Sequence, residues 1–189
     1  MAQIQVKVLQ FKCRRMNFDQ KTMIFGNPDL FGICVEPIEA WSTEEIKNGV
    51  MCFVLQNRII GGIFFRSTLG PELIRMKSII PSLREGKREI SSEWSAADAF
   101  AHLKNLSFPE TEEDEYRSHI ISTWSLMDAG IDVFHEVLSD KDERILYSEG
   151  EGKPIGELIL PLNTVLDVFQ SAVAEMEAIL KDSEGREGA

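Results

Sequence analysis

The chain has 189 residues, 43% of them apolar and 27% charged, with a net charge of −11. These proportions exclude wholesale disorder, a coiled coil and a collagen-like repeat, and the length suits one domain burying about 70% of its unfolded surface. So acidic a chain is repelled by nucleic acid and by anionic membranes, so neither is expected as a direct partner.

The charge is unevenly placed. Residues 1–109 hold 14 basic and 11 acidic residues, whereas residues 110–189 hold 6 and 20. In chain order, Ile4, Val6 and Val8 alternate with Gln3, Gln5 and Lys7, which predicts an edge strand in an N-terminal extension, residues 1–22. Met23–Asp29 carries turn chemistry in Gly26, Asn27 and Pro28, and Leu30–Val35 follows as a strand. Gly49–Gln56 is a buried strand. Asn57-Arg58 is its turn, and Ile59–Phe65 is the returning strand, with a bulge or close approach at Gly61-Gly62. Pro71 opens a helix that Pro81 is expected to end. Ser82–Ser92 is a charged loop, and Ser95 caps a second helix over Ala96–Leu106.

After the acidic run Glu110–Glu115, three short strands are predicted at Ile131–Leu138, Arg144–Tyr147 and Glu157–Leu160, separated by turns at Ser139–Asp142 and Gly150–Gly152. Thr164–Leu180 keeps a 3.6-residue apolar period as a terminal helix, and Lys181–Ala189 is a fraying tail. Strands joined by two to six residues pair antiparallel, because a parallel crossover needs a dozen or more. The expected class is therefore α+β: an antiparallel sheet of about five to six strands, helices packed on one face, and a C-terminal helix, all in one domain over residues 1–180.

Chemistry-bearing patterns are sparse. Cys13, Cys34 and Cys52 are odd in number, lack a CxxC pair and lie in apolar runs, so they read as reduced, buried thiols of a cytoplasmic protein. Met1–Gln10 has no signal-peptide pattern, and no apolar run reaches membrane-spanning length. His102, His119 and His135 have no nucleophile signature beside them and read as structural or surface residues. His135-Glu136 fails the HExxH spacing, because position 139 is Ser, and Asp140–Glu143 lacks a calcium-loop pattern. No catalytic residue, metal or cofactor is predicted. Two acidic clusters, Glu110, Glu112, Glu113, Asp114 and Glu115, and Asp140, Asp142 and Glu143, are either solvated loops or a surface that attracts a basic partner. Trp41 and Trp124 are candidate anchors for such an interface, or core residues.

The string Met23-Ile24-Phe25-Gly26-Asn27-Pro28-Asp29-Leu30-Phe31-Gly32-Ile33 resembles the opening of the immunity protein 42 family. These are small bacterial cytoplasmic proteins that accompany polymorphic toxins, including contact-dependent growth-inhibition systems. The likeness continues in the order of elements to residue 180, while residues 1–22 and 82–125 match nothing in the family pattern. The resemblance implies a non-enzymatic protein that binds a cognate toxin domain, as a monomer in a one-to-one complex, and occludes it. A basic, nuclease-type toxin would complement the acidic C-terminal part. The competing reading is an acidic secretion chaperone for an effector protein, which would require a stable homodimer.

Overall fold

The computed structural model describes residues 22–61, 65–86, 94–108 and 119–184. Among the described residues, eight strands and four α-helices follow one another in two compact units, one holding those up to Ile74 and from Asp167 onward, the other those of Arg75–Leu166. The predicted strand around Ile4–Val8 and the acidic run Glu110–Glu115 lie outside the described residues.

The first unit holds a five-stranded antiparallel sheet. β1 (Met23–Asn27) pairs with β2 (Phe31–Pro37), and β2 with β3 (Asn48–Leu55). β3 also pairs with β4 (Arg58–Ile59) and β5 (Phe65–Thr68). Met23–Phe25 is thus strand, not turn. Gly26 takes φ +92°, which confines the reversal to Asn27–Leu30. There the Leu30 amide donates to the Asn27 carbonyl (2.9 Å) and the Asp29 amide to Asn27 Oδ1 (3.1 Å), with Pro28 presetting the corner. A Cβ on Gly26 would stand 2.5 Å from Val168 Cγ2 and 2.6 Å from the Phe31 carbonyl oxygen, so the position needs glycine twice over.

The β3–β4 turn is Gln56-Asn57, one residue earlier than the sequence indicates, with φ +49° and +61°. Both central residues of a two-residue hairpin turn need positive φ, and here neither is glycine. The turn is clipped onto the first hairpin: the Asn57 amide donates to the Pro28 carbonyl (2.6 Å), the Gln56 amide to that of Leu30 (3.1 Å), and Asn57 Nδ2 to the Asp29 carboxylate. The single returning strand expected over Ile59–Phe65 is broken. Gly61 turns with φ +80°, and β5 rejoins β3 at its far half, Asn48–Met51.

One face of this sheet buries Phe31 and Phe53 against Phe169. The ring centroids are 5.5 and 5.9 Å apart in edge-to-face contacts, with Phe31 and Phe169 stacked at 6.5 Å. Such pairs add roughly 0.5–1.5 kcal/mol each to the burial of the rings. The other face carries Ile24, Cys34, Cys52 and Val54. Cys34 and Cys52 oppose each other across β2 and β3 as free, buried thiols, and the Cys34 neighbour together with burial pushes the Cys52 thiol upward. Cys13 lies outside the described residues.

Helix α1 (Leu69–Glu85) runs through Pro81 instead of ending there. The proline forfeits one rung of the ladder, but Leu73, Met76, Ile79 and Leu83 continue one buried stripe across it. Burial of Leu83 past the proline offsets that loss.

The second unit holds a three-stranded antiparallel sheet of β6 (Asp132–Val137), β7 (Asp142–Ser148) and β8 (Gly156–Pro161). Helix α2 (Ala96–Ser107) starts where Ser95 Oγ accepts the Asp98 amide (3.2 Å), the cap the sequence indicates. Its Ala99, Phe100 and Leu103 pack on Ile120, Phe134 and Leu146, with Phe100 edge-on to Phe134 at 5.0 Å. A short helix α3 (Trp124–Asp128) precedes β6, and helix α4 (Thr164–Glu184) follows β8, four residues longer than predicted. The α+β class, the antiparallel pairing and the terminal helix are those expected, with the strands divided between sheets of five and three.

Candidate partner-binding surface

The acidic turn joining β6 to β7 is built by one serine. Ser139 Oγ accepts the amides of Lys141 (3.1 Å) and Asp142 (3.0 Å) and donates to Asp142 Oδ2 (3.1 Å), while the Ser139 amide donates to the Asp142 carbonyl (3.1 Å). Four hydrogen bonds over four residues hold Asp140, Lys141 and Asp142 outward in a defined arrangement, all three exposed. The turn therefore presents carboxylates at little further cost in backbone entropy.

Glu143 does not belong to that surface. The pleat turns it inward, where its carboxylate is buried and accepts three hydrogen bonds: from the Val165 amide (2.7 Å), the Asn163 amide (3.1 Å) and His135 Nε2 (3.1 Å). The two amides are the orphan donors at the start of α4, where an anion also meets the positive end of the helix dipole. Strand position explains the difference: Asp142 and Glu143 are adjacent, so they face opposite sides of the sheet.

The same alternation buries Arg144 on the other side. Its Nε donates to Glu136 Oε1 (2.6 Å), its Nη2 donates to the same oxygen, and its Nη1 donates to Glu157 Oε1 (3.0 Å). Glu136 Oε2 is buried with no hydrogen-bond partner among the described residues. Burial raises the Glu136 carboxyl above the ordinary glutamate value, against the opposing pull of the Arg144 guanidinium. Sequence reasoning missed both networks. The available signal was the charged Asp132 and Glu136 of β6 and the run Asp142-Glu143-Arg144 at the head of β7, which solvated strand ends would equally show.

Of the two candidate anchors, Trp124 opens α3 and is 47% exposed, with the Arg75 guanidinium 5.5 Å from its ring centre. Arg75 is itself tied to the carbonyls of Ser122 and Ile120, each at 3.2 Å. α3, which Trp124 opens, precedes β6 and the Asp140–Asp142 turn follows it, the strand between them being six residues or about 20 Å long. Trp41 lies in the other unit, half-buried in a 3₁₀ turn (Glu39–Trp41), with Arg66 5.5 Å from its ring centre and its carbonyl held by Asn48 Nδ2 (2.7 Å). An aromatic ring with a fixed cation over one face and solvent on the other suits an interface anchor. Trp94, which the sequence did not single out, is 44% exposed at the head of α2 and edge-on to His102 at 5.3 Å.

His119 and His135 are buried, and His119 Nδ1 lies 3.2 Å from the His135 carbonyl oxygen. Beside them a cavity of about 40 Å³, lined in part by Arg75, Ser78 and Ser82, has room for water and not for a substrate, whose sites run to ~300–1,000 Å³. Among the described residues no three His, Cys, Asp or Glu side chains are grouped to hold a metal ion, and no helix is long and apolar enough to cross a membrane.

Comparison with known proteins agrees with this architecture. The crystal structure of CdiI from Burkholderia dolosa is similar with a TM-score of 0.68 and 25% sequence identity, over 81% of this chain and 99% of that one. No curated protein matches. The profile of the family described as immunity protein 42 matches residues 23–175, which include β1 to β8, the acidic turn and most of α4. The chain belongs to the immunity protein 42 family.

Proposed function

We propose that this contact-dependent-inhibition immunity protein neutralises a basic, nuclease-type toxin domain by binding it one-to-one and covering its active site or a neighbouring surface. It would act in the cytoplasm of the cell it protects and make or break no bond with its own side chains. Family membership makes the partner a protein, the cognate toxin. The observation that carries the finer reading is the preorganised, outward-facing Asp140–Asp142 turn, in a C-terminal part with 20 acidic residues against 6 basic ones. A toxin that cuts nucleic acid must hold phosphates in a basic cleft, and a polyanionic surface is attracted to the same cleft. Attraction of this kind raises the rate of encounter and disfavours partners of like charge. Trp124, in the same unit as the turn, would supply buried contact area within a standard interface of about 1,600 Å², and Trp41 is a separate candidate anchor on the other unit. Glu110, Glu112, Glu113, Asp114 and Glu115 would add to the negative field.

The test is a double charge reversal, Asp140→Lys with Asp142→Lys, assayed by stopped-flow association with the toxin domain encoded by the neighbouring reading frame. Association should slow roughly tenfold at low salt, and the difference should shrink as the Debye length contracts toward 8 Å near physiological ionic strength. Equal rates for the parent and the variant at low salt would remove the turn from the interface.

A further inference from the structure

We propose that the outer edge of β8 receives an extended segment of the toxin as an added strand, with basic and apolar side chains alternating along it. The proposal rests on the reading of this protein as a stoichiometric toxin binder and locates one contact within it. The backbone register decides which groups are on offer. The Leu162 amide donates to the Lys141 carbonyl, which makes that pair hydrogen-bonded, so the pairs Leu160–Glu143 and Leu158–Ile145 are hydrogen-bonded too. Glu157 and Ile159 lie between them and aim their N–H and C=O away from β7. Pro161 also lies out of phase, but it has no N–H, and its carbonyl accepts the Thr164 hydroxyl (2.6 Å). Among the described residues nothing bonds to the four outward groups of Glu157 and Ile159.

The opposite edge of the sheet reads by the same rule. The Leu138 amide donates to the Asp142 carbonyl, so Val133, His135 and Val137 face outward from β6. The four groups of Val133 and His135 are met from within the chain: Val133 C=O by the Ile121 amide (2.8 Å), Val133 N–H by Ser122 Oγ (2.7 Å), His135 N–H by the His119 carbonyl (2.9 Å), and His135 C=O by His119 Nδ1 at 3.2 Å. The middle of the β6 edge is thus covered from within the chain, whereas that of β8 is left open. Open edges are ordinarily defended by charged side chains, proline or a bulge. In β8 Glu157 and Pro161 stand toward the two ends and leave Ile159 between them undefended and 47% exposed.

Side chains indicate the occupant. Glu157 is exposed along the edge, the Asp140–Asp142 carboxylates flank its Pro161 end, and Ile159 supplies an apolar contact between them. An incoming strand that met these in order would carry Lys or Arg beside Glu157 and an apolar residue beside Ile159. A second copy of this chain fits less well, because it would bring further carboxylates to an acidic edge.

The experiment is amide hydrogen exchange on the full chain, free and bound to the domain encoded by the neighbouring reading frame, together with two edge variants. On binding, the Glu157 and Ile159 amides should slow at least about tenfold. Ile159→Pro removes an outward N–H without touching the β7–β8 ladder, and Ile159→Lys keeps every backbone group and sets a cation against the partner. Each should weaken binding by about tenfold. Binding with unchanged exchange at Glu157 and Ile159, or undiminished affinity of Ile159→Lys, overturns the added strand and leaves the immunity reading intact. Concentration-dependent protection of these amides in the free protein assigns the edge to a second copy and also overturns it. Failure of the wild-type chain to bind that domain defeats the reading on which the proposal stands.

Discussion

Replacing Glu143 by alanine should unfold the start of α4 before it affects anything on the surface. The wild-type carboxylate satisfies two orphan amides, of Val165 and Asn163, and the Nε2 of His135, with the Val165 and His135 contacts buried and that of Asn163 partly so. A hydrogen bond to a charged group contributes about 1.5–3 kcal/mol, and a buried donor left unmatched costs about 1–3 kcal/mol. The three contacts share one carboxylate and are not additive, so the estimate for Glu143→Ala is about 3–5 kcal/mol, the range for removing one partner of a buried charged pair. Glu143→Gln keeps the volume and one acceptor oxygen, and should cost about 1–3 kcal/mol by the same reasoning. With a urea slope near 2 kcal/mol/M, a loss of about 4 kcal/mol lowers the midpoint by about 2 M. Urea titration followed by far-UV circular dichroism gives the midpoint, and hydrogen exchange at the Val165 amide localises the loss. An alanine variant whose midpoint stays within about 0.3 M of the parent, or a glutamine variant as damaged as alanine, would refute the assignment of Glu143 as the anchor of α4.

Gln56 sits at φ +49° in an exposed turn, so Gln56→Gly should relieve left-handed strain, stabilise the chain by about 0.5–1 kcal/mol and raise Tm by about 1–4 °C; a lowered Tm contradicts the strain argument. At the neighbouring corner, Gly26→Ala must find room for a methyl against Val168 and the Phe31 carbonyl at a φ of +92°, and a loss of about 2–4 kcal/mol in chemical denaturation is expected, with a loss under about 1 kcal/mol counting against the close packing. The Glu136 carboxyl should titrate above 4.5 by NMR, because burial disfavours its charged form. A raised folded-state value means that the folded chain holds this proton more tightly than the unfolded one does. Its contribution to stability is therefore full below the unfolded value and is lost as pH rises through the folded one. Glu136→Gln should flatten the stability profile over that window, and a wild-type titration midpoint at or below 4.5 contradicts the argument.

Much of the fold was legible because it is written in local chemistry. Ser95 caps α2 as the sequence indicates, and the 3.6-residue stripe from Val165 to Met176 is buried along α4. Pro81 misled because its local preference was outweighed by a tertiary one: Leu83, beyond the proline, is buried on the same stripe as Met76 and Ile79. The stretch Ile59–Phe65 misled for a different reason, since an apolar run with two glycines does not say whether the strand bulges or stops and re-pairs elsewhere. The candidate surface was legible only in part. Exposure of Asp140 and Asp142 follows from turn chemistry, but the inward Glu143 depends on which residue begins the pleat, and a shift of one position exchanges the two faces. The open edge of β8 is a property of hydrogen-bond phase, which no residue type encodes.

The string from Met23 to Ile33 brought the family into view, and the structure shows what its residues are occupied with. Gly26 admits Val168, Asn27 and Pro28 close the hairpin, Asp29 grips Asn57, and Phe31 enters the ring cluster with Phe53 and Phe169. All of this is scaffold, spent on joining two hairpins and a helix. The most recognisable words in the chain thus describe how it is assembled and are silent about whom it protects against. Two proteins that share the string could guard against unrelated poisons, and on the reading proposed above the discriminating letters would stand at positions such as Asp140 and Ile159, outside the string.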